Sequence, residues 1–369
     1  MNTKIKYFYW FLLISFCFTS CKVGRYVVYN FADIKDYKKF PARNLEKSAE
    51  PFQFPSAIAN HFPTKEMNEL SDELNFEDYL TENATVAFLV IQNDSIQYEK
   101  YFSDYEAASI VPSFSMAKSI ISILIGCAID EGLIQSVEDA VTNYIPELTE
   151  NGYESVSIEH LLTMTSGMDF KEAYKSPFSD AATFYYGRTL RKSLDQLKLK
   201  RKPGEKFEYV SGSTQLLGLI LERVIGERTV TQYLQEKLWT PLAMEYDASW
   251  SIDRKKNGLE KTFCCVNARA RDFAKIGRLY LNKGNWNGKQ IVSQNWVEKS
   301  TKVDSTNGRA WKYQYQWWLP SKEGDYEARG ILGQYIYVNP AKNIVIVRLG
   351  KSRKDVKWEA LFRKIAAAY

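Results

Sequence analysis

Two hairpin-like segments lie far apart in the chain and limit how it can fold. The first, TVAFLVIQNDSIQYEKYF at residues 85–102, predicts two strands about an Asn-Asp turn. The second, GQYIYVNPAKNIVIVRLG at residues 333–350, predicts two strands about an Asn-Pro turn. The sequence between them is mostly helical or loop-like. We therefore predict an α/β fold of the α+β type, in which N- and C-terminal strands form one antiparallel sheet flanked by helices, with an inserted helical subdomain.

The inserted region opens with SFSMAKSIISILIG, residues 113–126, at the head of an apolar run. The run predicts a buried helix that begins near Ser115 and stops at Gly132. Its apolar positions follow helical spacing and are Met116, Ile120, Ile121, Leu124, Ile125 and Ala128.

Ser115 and Lys118 are three residues apart, so on a helix their side chains lie on one face. A serine hydroxyl is a poor nucleophile at neutral pH, and a lysine desolvated by the apolar helix behind it can help to remove the hydroxyl proton. An S-x-x-K pattern alone is weak evidence, and Ser115 as a plain helix N-cap is the alternative.

Four further segments resemble successive blocks of the class C β-lactamase-related family of penicillin-recognising serine hydrolases. The resemblance covers roughly residues 85–365 and is closest to the branch that contains 6-aminohexanoate-dimer hydrolase and carboxylesterases. It implies the β-lactamase/transpeptidase-like fold and a catalytic serine in the S-x-x-K motif. The segments are IEHLLTMTSGMDF (158–170), PGEKFEYVSGSTQLLGLILERVIG (203–226), NARARDFAKIGRLYLNKG (267–284) and GQYIYVNPAKNIVIVRLG (333–350).

The family's second motif, Y-x-N, supplies a tyrosine that shares the serine's proton and passes it to the leaving group. The block resemblance selects Tyr209, in FEYVSGSTQ, so the motif here is Y-x-S with Ser211 in the third place. The literal Y-x-N at residues 337–339 ends a strand beside a proline turn and is not selected. Packing at a helix start is the alternative role for Tyr209.

The family's third motif is usually K-T-G or H-x-G on the strand that lines the cleft. The corresponding residues are Ala328, Arg329 and Gly330, which provide no lysine or histidine in the first place. The missing cation argues against a β-lactam or a D-Ala-D-Ala peptide as the main substrate. Arg329 could supply charge, although strand alternation would turn it to the opposite face. The resemblance implies an oxyanion hole formed by the N–H groups of Ser115 and Ile331.

Several further residues are candidates for contact with substrate. Gly330 would let the chain approach the substrate closely. The others are Tyr174 and Ser211, together with Trp317 beside Trp318; packing is the alternative role for the aromatic ones.

Histidine is scarce, which restricts the possible chemistry. His61 and His160 are the only two in the sequence, so a histidine-rich zinc site or a Ser-His-Asp triad has little room. His160 lies on an apolar helical stretch and is interpreted as structural. The basic residues are scattered and the net charge is only +5, which gives no nucleic-acid footprint.

We therefore predict a serine hydrolase that cleaves a small-molecule or peptide-like ester or amide through an acyl-enzyme on Ser115, without a metal or organic cofactor. The alternatives are a β-lactamase or D,D-peptidase, and a non-catalytic protein that binds peptidoglycan or peptide on the same fold.

The N-terminus predicts export. Lys4 and Lys6 precede a short apolar stretch that ends at Phe-Thr-Ser-Cys, which resembles a bacterial lipoprotein signal. We predict a signal peptide at 1–20, a lipidated tether and lead-in segment at 21–83 anchored to a membrane at Cys21, and a hydrolase domain at 84–369. This places the protein in the periplasm or on the outer membrane of a Gram-negative cell. The alternative is an unlipidated signal peptide or a short anchor.

We predict no disulfide framework among the cysteines that follow the leader sequence. Cys127 lies in the apolar run and is predicted to pack as a small hydrophobic residue. Cys264 and Cys265 are adjacent, and disulfide geometry fits a neighbouring pair poorly, so we do not expect them to bridge each other.

Overall fold

The computed structural model of the protein describes residues 22–29, 31–58, 62–69 and 75–369. The predicted signal peptide, residues 1–20, and the predicted lipidation site, Cys21, lie outside them. Among the helices within these ranges, none has both the length and the hydropathy that crossing a bilayer requires.

The strands form a seven-stranded sheet, a four-stranded sheet and a separate hairpin. In chain order they are β1 (Ala42–Leu45), β2 (Thr85–Gln92), β3 (Ser95–Tyr101), β4 (Val111–Pro112), β5 (Ala248–Ser251), β6 (Val266–Ala268), β7 (Asn285–Trp286), β8 (Lys289–Gln290), β9 (Tyr313–Gln314), β10 (Trp317–Trp318), β11 (Tyr326–Arg329), β12 (Tyr335–Asn339) and β13 (Ile344–Gly350).

The large sheet is antiparallel throughout and has the order β3-β2-β13-β12-β11-β10-β9. Strands from the start and the end of the domain therefore lie side by side, which confirms the predicted fold class. Both predicted hairpins are present. Asn93 and Asp94 have φ values of +50° and +60°, the left-handed geometry that a two-residue turn between twisted strands requires.

The small sheet has the order β1-β5-β6-β4 and includes residues from the predicted lead-in segment. Strand β1 pairs with β5 along its whole length, from Ala42 opposite Ser251 to Leu45 opposite Ala248. Strand β4 pairs with β6 and leads directly toward Ser115. This sheet therefore supports the chain just before the predicted nucleophile.

Helices cover both faces of the large sheet and fill the inserted region, as predicted. They are α1 (Lys22–Tyr29), α2 (Thr64–Glu69), α3 (Phe76–Glu82), α4 (Ala117–Asp130), α5 (Ile158–Leu162), α6 (Asp180–Tyr186), α7 (Leu190–Leu194), α8 (Ser211–Val224), α9 (Val230–Leu234), α10 (Ala270–Leu281), α11 (Gln294–Thr301) and α12 (Trp358–Ala367). Short 3-10 helices lie at Asp36–Lys38, Phe114–Met116, Val141–Asn143, Pro146–Asn151, Tyr153–Ser155 and Pro340–Lys342, and a π-helical turn lies at Gln235–Trp239.

Two hydrophobic layers sandwich the large sheet. On one face, α10 packs closely against the central strands: a Cβ added to Gly277 would lie 2.6 Å from a methyl group of Val345. On the other face, Trp358 and Phe362 of α12 are fully buried against Tyr335 and neighbouring strand residues. Helix α4, predicted from its apolar spacing, is buried over most of its length in the core. The helix that follows Ser115 is thus a rigid support.

Candidate active site

Ser115 lies in the 3-10 turn that joins β4 to α4. Phe114, just before it, has a left-handed backbone with φ of +44°. Such a conformation costs a bulky residue on the order of 1–3 kcal/mol, so surrounding contacts must hold it. Ser113 provides them: its N–H donates to the carbonyl oxygen of Val266 at 2.7 Å, and its Oγ accepts from the Val266 N–H at 3.0 Å. The turn leaves Ser115 partly exposed in the cleft.

Lys118 is buried one turn after Ser115, and its ammonium group contacts three oxygen atoms. Nζ lies 3.2 Å from Oγ of Ser115, 3.2 Å from Oγ of Ser211 and 2.7 Å from the carbonyl oxygen of Phe263. Burial lowers the pKa of Lys118 to about 8, against the opposing attraction of the Glu172 carboxylate. A part of this amine is therefore neutral near physiological pH and able to accept a proton from Ser115.

Tyr209 completes the group of three predicted catalytic side chains. Its ring centroid lies 5.2 Å from the Lys118 ammonium, and its ring stacks on Trp318 at 5.6 Å between centroids. Burial and the nearby Glu172 raise the pKa of Tyr209, while a hydrogen bond with Ser115 opposes this effect. The phenol therefore keeps its proton at neutral pH. The structure brings these side chains together from separate parts of the sequence.

Glu172 is a site residue that the sequence did not reveal. Its carboxylate accepts hydrogen bonds from the Ser211 hydroxyl at 2.6 Å, the Ser211 N–H at 2.7 Å and the Tyr174 hydroxyl at 2.5 Å. Since Ser211 also contacts Lys118, Glu172 is connected to the ammonium through one hydroxyl. Its only sequence signal is its position two residues before Tyr174, in the loop after the TSG block.

The predicted oxyanion donor, Ile331, lies beside Ser115 in the cleft. Within the described part of the chain, its N–H makes no hydrogen bond, whereas the N–H of Gly330 is used by the carbonyl oxygen of Gln334 at 2.7 Å. Gly330 also lines the cleft, and a Cβ at this position would lie 2.6 Å from the carbonyl oxygen of Ser113. A glycine is therefore needed here to bring the end of β11 against the turn that carries the nucleophile.

The cleft divides into two pockets that share Ser115, Tyr174 and Ile331. The aromatic pocket is lined by Phe114, Tyr185, Tyr186 and Phe263 among others and by no charged residue. The arginine pocket is lined by Tyr209, Trp318, Arg329, Tyr335 and Arg353 in addition to the shared residues and Gly330.

The prediction that Trp317 lines the cleft is wrong. Trp317 is fully buried and stacks on Tyr280 with ring centroids 4.2 Å apart, whereas Trp318 lines the arginine pocket. Successive residues of a strand point to opposite faces, so only one of two adjacent tryptophans can reach the cleft.

Arg329 lines the cleft, although strand alternation places its side chain on the opposite face of the sheet from Ala328. Ala328 packs into the core on one face of the sheet, and Arg329 lies opposite Tyr335, whose ring packs on the other face. Because β11 ends at Arg329, its guanidinium reaches the cleft edge and lies 4.8 Å from the Trp318 ring centroid.

His160 and Tyr337, which the sequence analysis did not select as catalytic residues, make structural contacts. His160 closes the N-terminus of α5: its Nδ1 accepts a hydrogen bond from the N–H of Ser157 at 3.1 Å. Tyr337 is fully buried and donates its hydroxyl to Asp325 at 2.9 Å.

The prediction that Cys264 and Cys265 do not bridge each other is contradicted, because the structure joins them in a disulfide. Cys265 has a left-handed backbone with φ of +77°, which lets neighbouring side chains converge, whereas the prediction assumed ordinary backbone geometry. Cys264 lines the aromatic pocket directly after Phe263. Cys127 is buried, as predicted. In the described residues, no three His, Cys, Asp or Glu side chains are grouped to hold a metal ion.

Comparison with known proteins gives one consistent result. A family model described as beta-lactamase matches residues 75–369. The 6-aminohexanoate-dimer hydrolase of Paenarthrobacter ureafaciens is 32% identical over 329 residues, covering 83% of this chain and 80% of that protein. A structure from Bacillus anthracis, provisionally assigned as a 6-aminohexanoate-dimer hydrolase, has a TM-score of 0.79 at 24% identity and covers 92% of this chain and 94% of that one. A family VIII carboxylesterase has a TM-score of 0.66 at 16% identity, covering 86% and 98%.

Proposed function

This chain belongs to the beta-lactamase family, and we propose that it is a serine hydrolase that cleaves an ester or amide bond through an acyl-enzyme on Ser115. Hydrolase activity is what the family and its relatives indicate. The acyl-enzyme mechanism is supported by one observation: Lys118 Nζ lies 3.2 Å from Ser115 Oγ, and burial lowers the pKa of Lys118 to about 8. This arrangement supplies a nucleophile and its base within one helical turn.

In the acylation step, Ser115 Oγ attacks the carbonyl carbon while neutral Lys118 accepts the hydroxyl proton. The oxyanion accepts hydrogen bonds from the N–H groups of Ser115 and Ile331, each worth roughly 2.7–4 kcal/mol in such sites. The bond from carbon to the leaving oxygen or nitrogen then breaks. The leaving atom takes the phenol proton of Tyr209, which is restored from Lys118, so the acyl group remains on Ser115 and no net charge is gained.

In the deacylation step, a water molecule attacks the acyl-enzyme carbonyl. Its proton passes to the Lys118 and Tyr209 pair, and the same oxyanion donors stabilise the second tetrahedral intermediate. Collapse of that intermediate breaks the bond to Ser115 Oγ, which regains a proton. The products are the free carboxylic acid and the original enzyme.

Two covalent probes test the proposal. Purified protein and a Ser115→Ala control are treated separately with a fluorophosphonate probe and with fluorescent penicillin. We expect labelling of Ser115 by the fluorophosphonate alone, as for an esterase or amidase. Labelling by both probes would indicate a β-lactamase or D,D-peptidase instead. Labelling by neither would reject the hydrolase and favour a protein that only binds peptidoglycan or peptide.

We also propose that the protein is exported and anchored to a membrane by lipid on Cys21. The support is the leader sequence, which ends at Phe-Thr-Ser-Cys. The disulfide between Cys264 and Cys265 is compatible with an oxidising compartment. Metabolic labelling with a fatty-acid analogue should mark the wild-type protein and not a Cys21→Ala variant. Equal labelling of the two proteins would contradict lipidation at this residue.

A further inference from the structure

We propose that the buried side chain of Gln334 is a positioning residue for the reaction, because it fixes the N–H group of Ile331 in the orientation that receives the oxyanion. Gln334 is fully buried and is absent from the lining of both pockets, so it acts through Ile331 and not by contact with substrate. This inference rests on the proposed function, since the role exists only if Ser115 attacks a carbonyl group.

The hydrogen bonds of its neighbours single out the N–H of Ile331. Residues 330–334 join β11 to β12. The N–H of Gly330 donates to the carbonyl oxygen of Gln334 at 2.7 Å, and the N–H of Gly333 donates to the carbonyl oxygen of Gly330 at 3.0 Å. The N–H of Leu332 donates to Oε1 of Gln334 at 3.1 Å. Of the N–H groups from 330 to 333, that of Ile331 alone has no acceptor among the described residues.

The carbonyl group of Gly330 sets the direction of this free N–H. The Gly330 carbonyl and the Ile331 N–H belong to one trans peptide group, in which the C=O and N–H bonds point in opposite directions. The carbonyl oxygen is directed into the turn, where it accepts the N–H of Gly333. The N–H of Ile331 therefore points out of the turn, and Ile331 lines the cleft beside Ser115.

Gln334 holds the chain on both sides of Ile331. Its main-chain oxygen accepts from the preceding residue, Gly330, and its side-chain Oε1 accepts from the following residue, Leu332. The amide also packs closely on the turn, since a Cβ at Gly330 would lie 2.7 Å from Oε1. Without the side chain, the N–H of Leu332 would lose its partner, and the peptide group between Ile331 and Leu332 would no longer be fixed.

Strand β13 anchors the Gln334 amide in turn. Nε2 donates to the carbonyl oxygen of Gly350, the last residue of β13, at 2.9 Å, so both polar ends of the amide are used. Arg348 of the same strand is fully buried and donates to the carbonyl oxygen of Gly333 at 2.5 Å. The turn is thus tied to the centre of the large sheet. A donor held in advance needs no reorganisation when negative charge develops on the substrate oxygen.

Replacement of the attacked carbonyl oxygen by sulfur tests this role. Sulfur is a weak hydrogen-bond acceptor, so oxyanion donors favour the oxygen substrate. The oxygen-to-sulfur ratio is kcat/KM for 4-nitrophenyl butyrate over kcat/KM for its thionoester, each divided by the rate of hydroxide-catalysed hydrolysis of the same compound. Gln334→Met removes both hydrogen bonds and should lower this ratio at least tenfold, toward the loss of about 10²- to 10³-fold that removal of a whole donor causes. An unchanged ratio in the folded variant would overturn the inference.

Two further variants distinguish positioning from general support. Gln334→Glu keeps an acceptor for the N–H of Leu332, so its ratio should lie between those of the wild type and Gln334→Met. Gln215→Met is the matched control, because Gln215 is also fully buried and lines neither pocket. Its amide joins the N–H of Thr262, at 3.0 Å, to the carbonyl oxygen of Glu260, at 2.9 Å. This control should lose stability in thermal melts and keep the wild-type ratio. Equal falls of the ratio in the two methionine variants would reject the assignment.

Amide hydrogen exchange in the wild-type protein tests the same assignment without any substitution. In the free protein, the N–H of Leu332 should exchange slowly and that of Ile331 fast. Butylboronic acid then adds to Ser115 Oγ, whose proton passes to Lys118, and forms a tetrahedral boronate with an oxygen in the place of the oxyanion. The N–H of Ile331 should become protected in this adduct. Fast exchange at Leu332, or no protection of Ile331 in the adduct, would contradict the proposed role of Gln334.

Fluorophosphonate labelling of the same samples separates this inference from the proposed function. If Ser115 is labelled and the ratio does not respond to Gln334→Met, the hydrolase stands and only the positioning role is wrong. If Ser115 is not labelled, the hydrolase and the positioning role fail together.

Discussion

The ammonium of Lys118 lies 3.2 Å from the hydroxyl of Ser115 and is almost wholly removed from solvent. No carboxylate contacts this ammonium directly: among the described residues its hydrogen bonds go to two hydroxyls and one carbonyl. A buried cation with only neutral partners releases its proton readily, because desolvation is not offset by a direct ion pair. Lys118 is therefore a candidate base in a site that contains no histidine among its described contacts.

Replacement of Lys118 tests this role. Lys118→Ala removes the base, and Lys118→Arg keeps a cation that cannot deprotonate, so both should lower the fluorophosphonate labelling rate about 10²- to 10⁴-fold. Circular dichroism and thermal unfolding should show that each variant is folded. A near-normal rate in the arginine variant would mean that the positive charge, and not proton transfer, is what the site needs.

The pH dependence of labelling should follow the deprotonation of Lys118. Its pKa is lowered to about 8, so below this pH the amine is mostly protonated and cannot accept the Ser115 proton. The labelling rate, corrected for hydrolysis of the probe, should rise about tenfold per pH unit below pH 8 and level off above it. Measurement between pH 6 and pH 10 is sufficient, and a rate that falls as the pH rises to 8 would contradict the assignment.

Glu172 should set the position of that pH profile. Its carboxylate raises the pKa of Lys118, so Glu172→Gln should move the inflection to lower pH. The plateau should also fall, because Ser211 and Tyr174 lose a charged acceptor. Glu227→Gln, at an exposed position, is the matched control and should leave the inflection in place. A Glu172 variant whose plateau falls without any change of inflection would show a purely structural role.

Trp317 and Trp318 should respond differently to truncation. Trp317 is fully buried, so Trp317→Ala should lower the free energy of unfolding by about 3–5 kcal/mol. Trp318→Ala should cost less stability and should lower kcat/KM for 4-nitrophenyl butyrate, because the Trp318 ring stacks on Tyr209. Urea denaturation and steady-state kinetics measure the two effects. Equal losses of stability in the two variants would contradict the alternation of these residues.

The sequence predicted those parts of the fold that have a local signal. Two examples are the hairpin at Asn93 and Asp94 and the helix after Ser115. Their signals, turn-forming residues and apolar spacing, each come from residues that are close together in the sequence. The candidate catalytic side chains were predicted from blocks that resemble a known family, not from spacing alone. The Y-x-S pattern alone does not distinguish Tyr209, because it also occurs at Tyr101, Tyr153 and Tyr174.

The remaining features depend on contacts between distant residues. Strand β1 pairs with β5 across about two hundred residues and is only four residues long, so it has no readable period. The two-residue strand β10 cannot reveal which tryptophan faces the cleft. Glu172 acquires its role from the folding of a loop against Ser211, and the disulfide depends on the φ of Cys265, which the residue type does not predict.

The order of strands in the large sheet sets the point in synthesis at which the candidate site can be completed. Ser115 leaves the ribosome early, but β13, which lies between β2 and β12, is made only at residues 344–350. A growing polypeptide therefore carries Ser115 beside an incomplete sheet until residues 344–350 have been translated. The candidate site can be completed only after that strand has entered the sheet between its two neighbours.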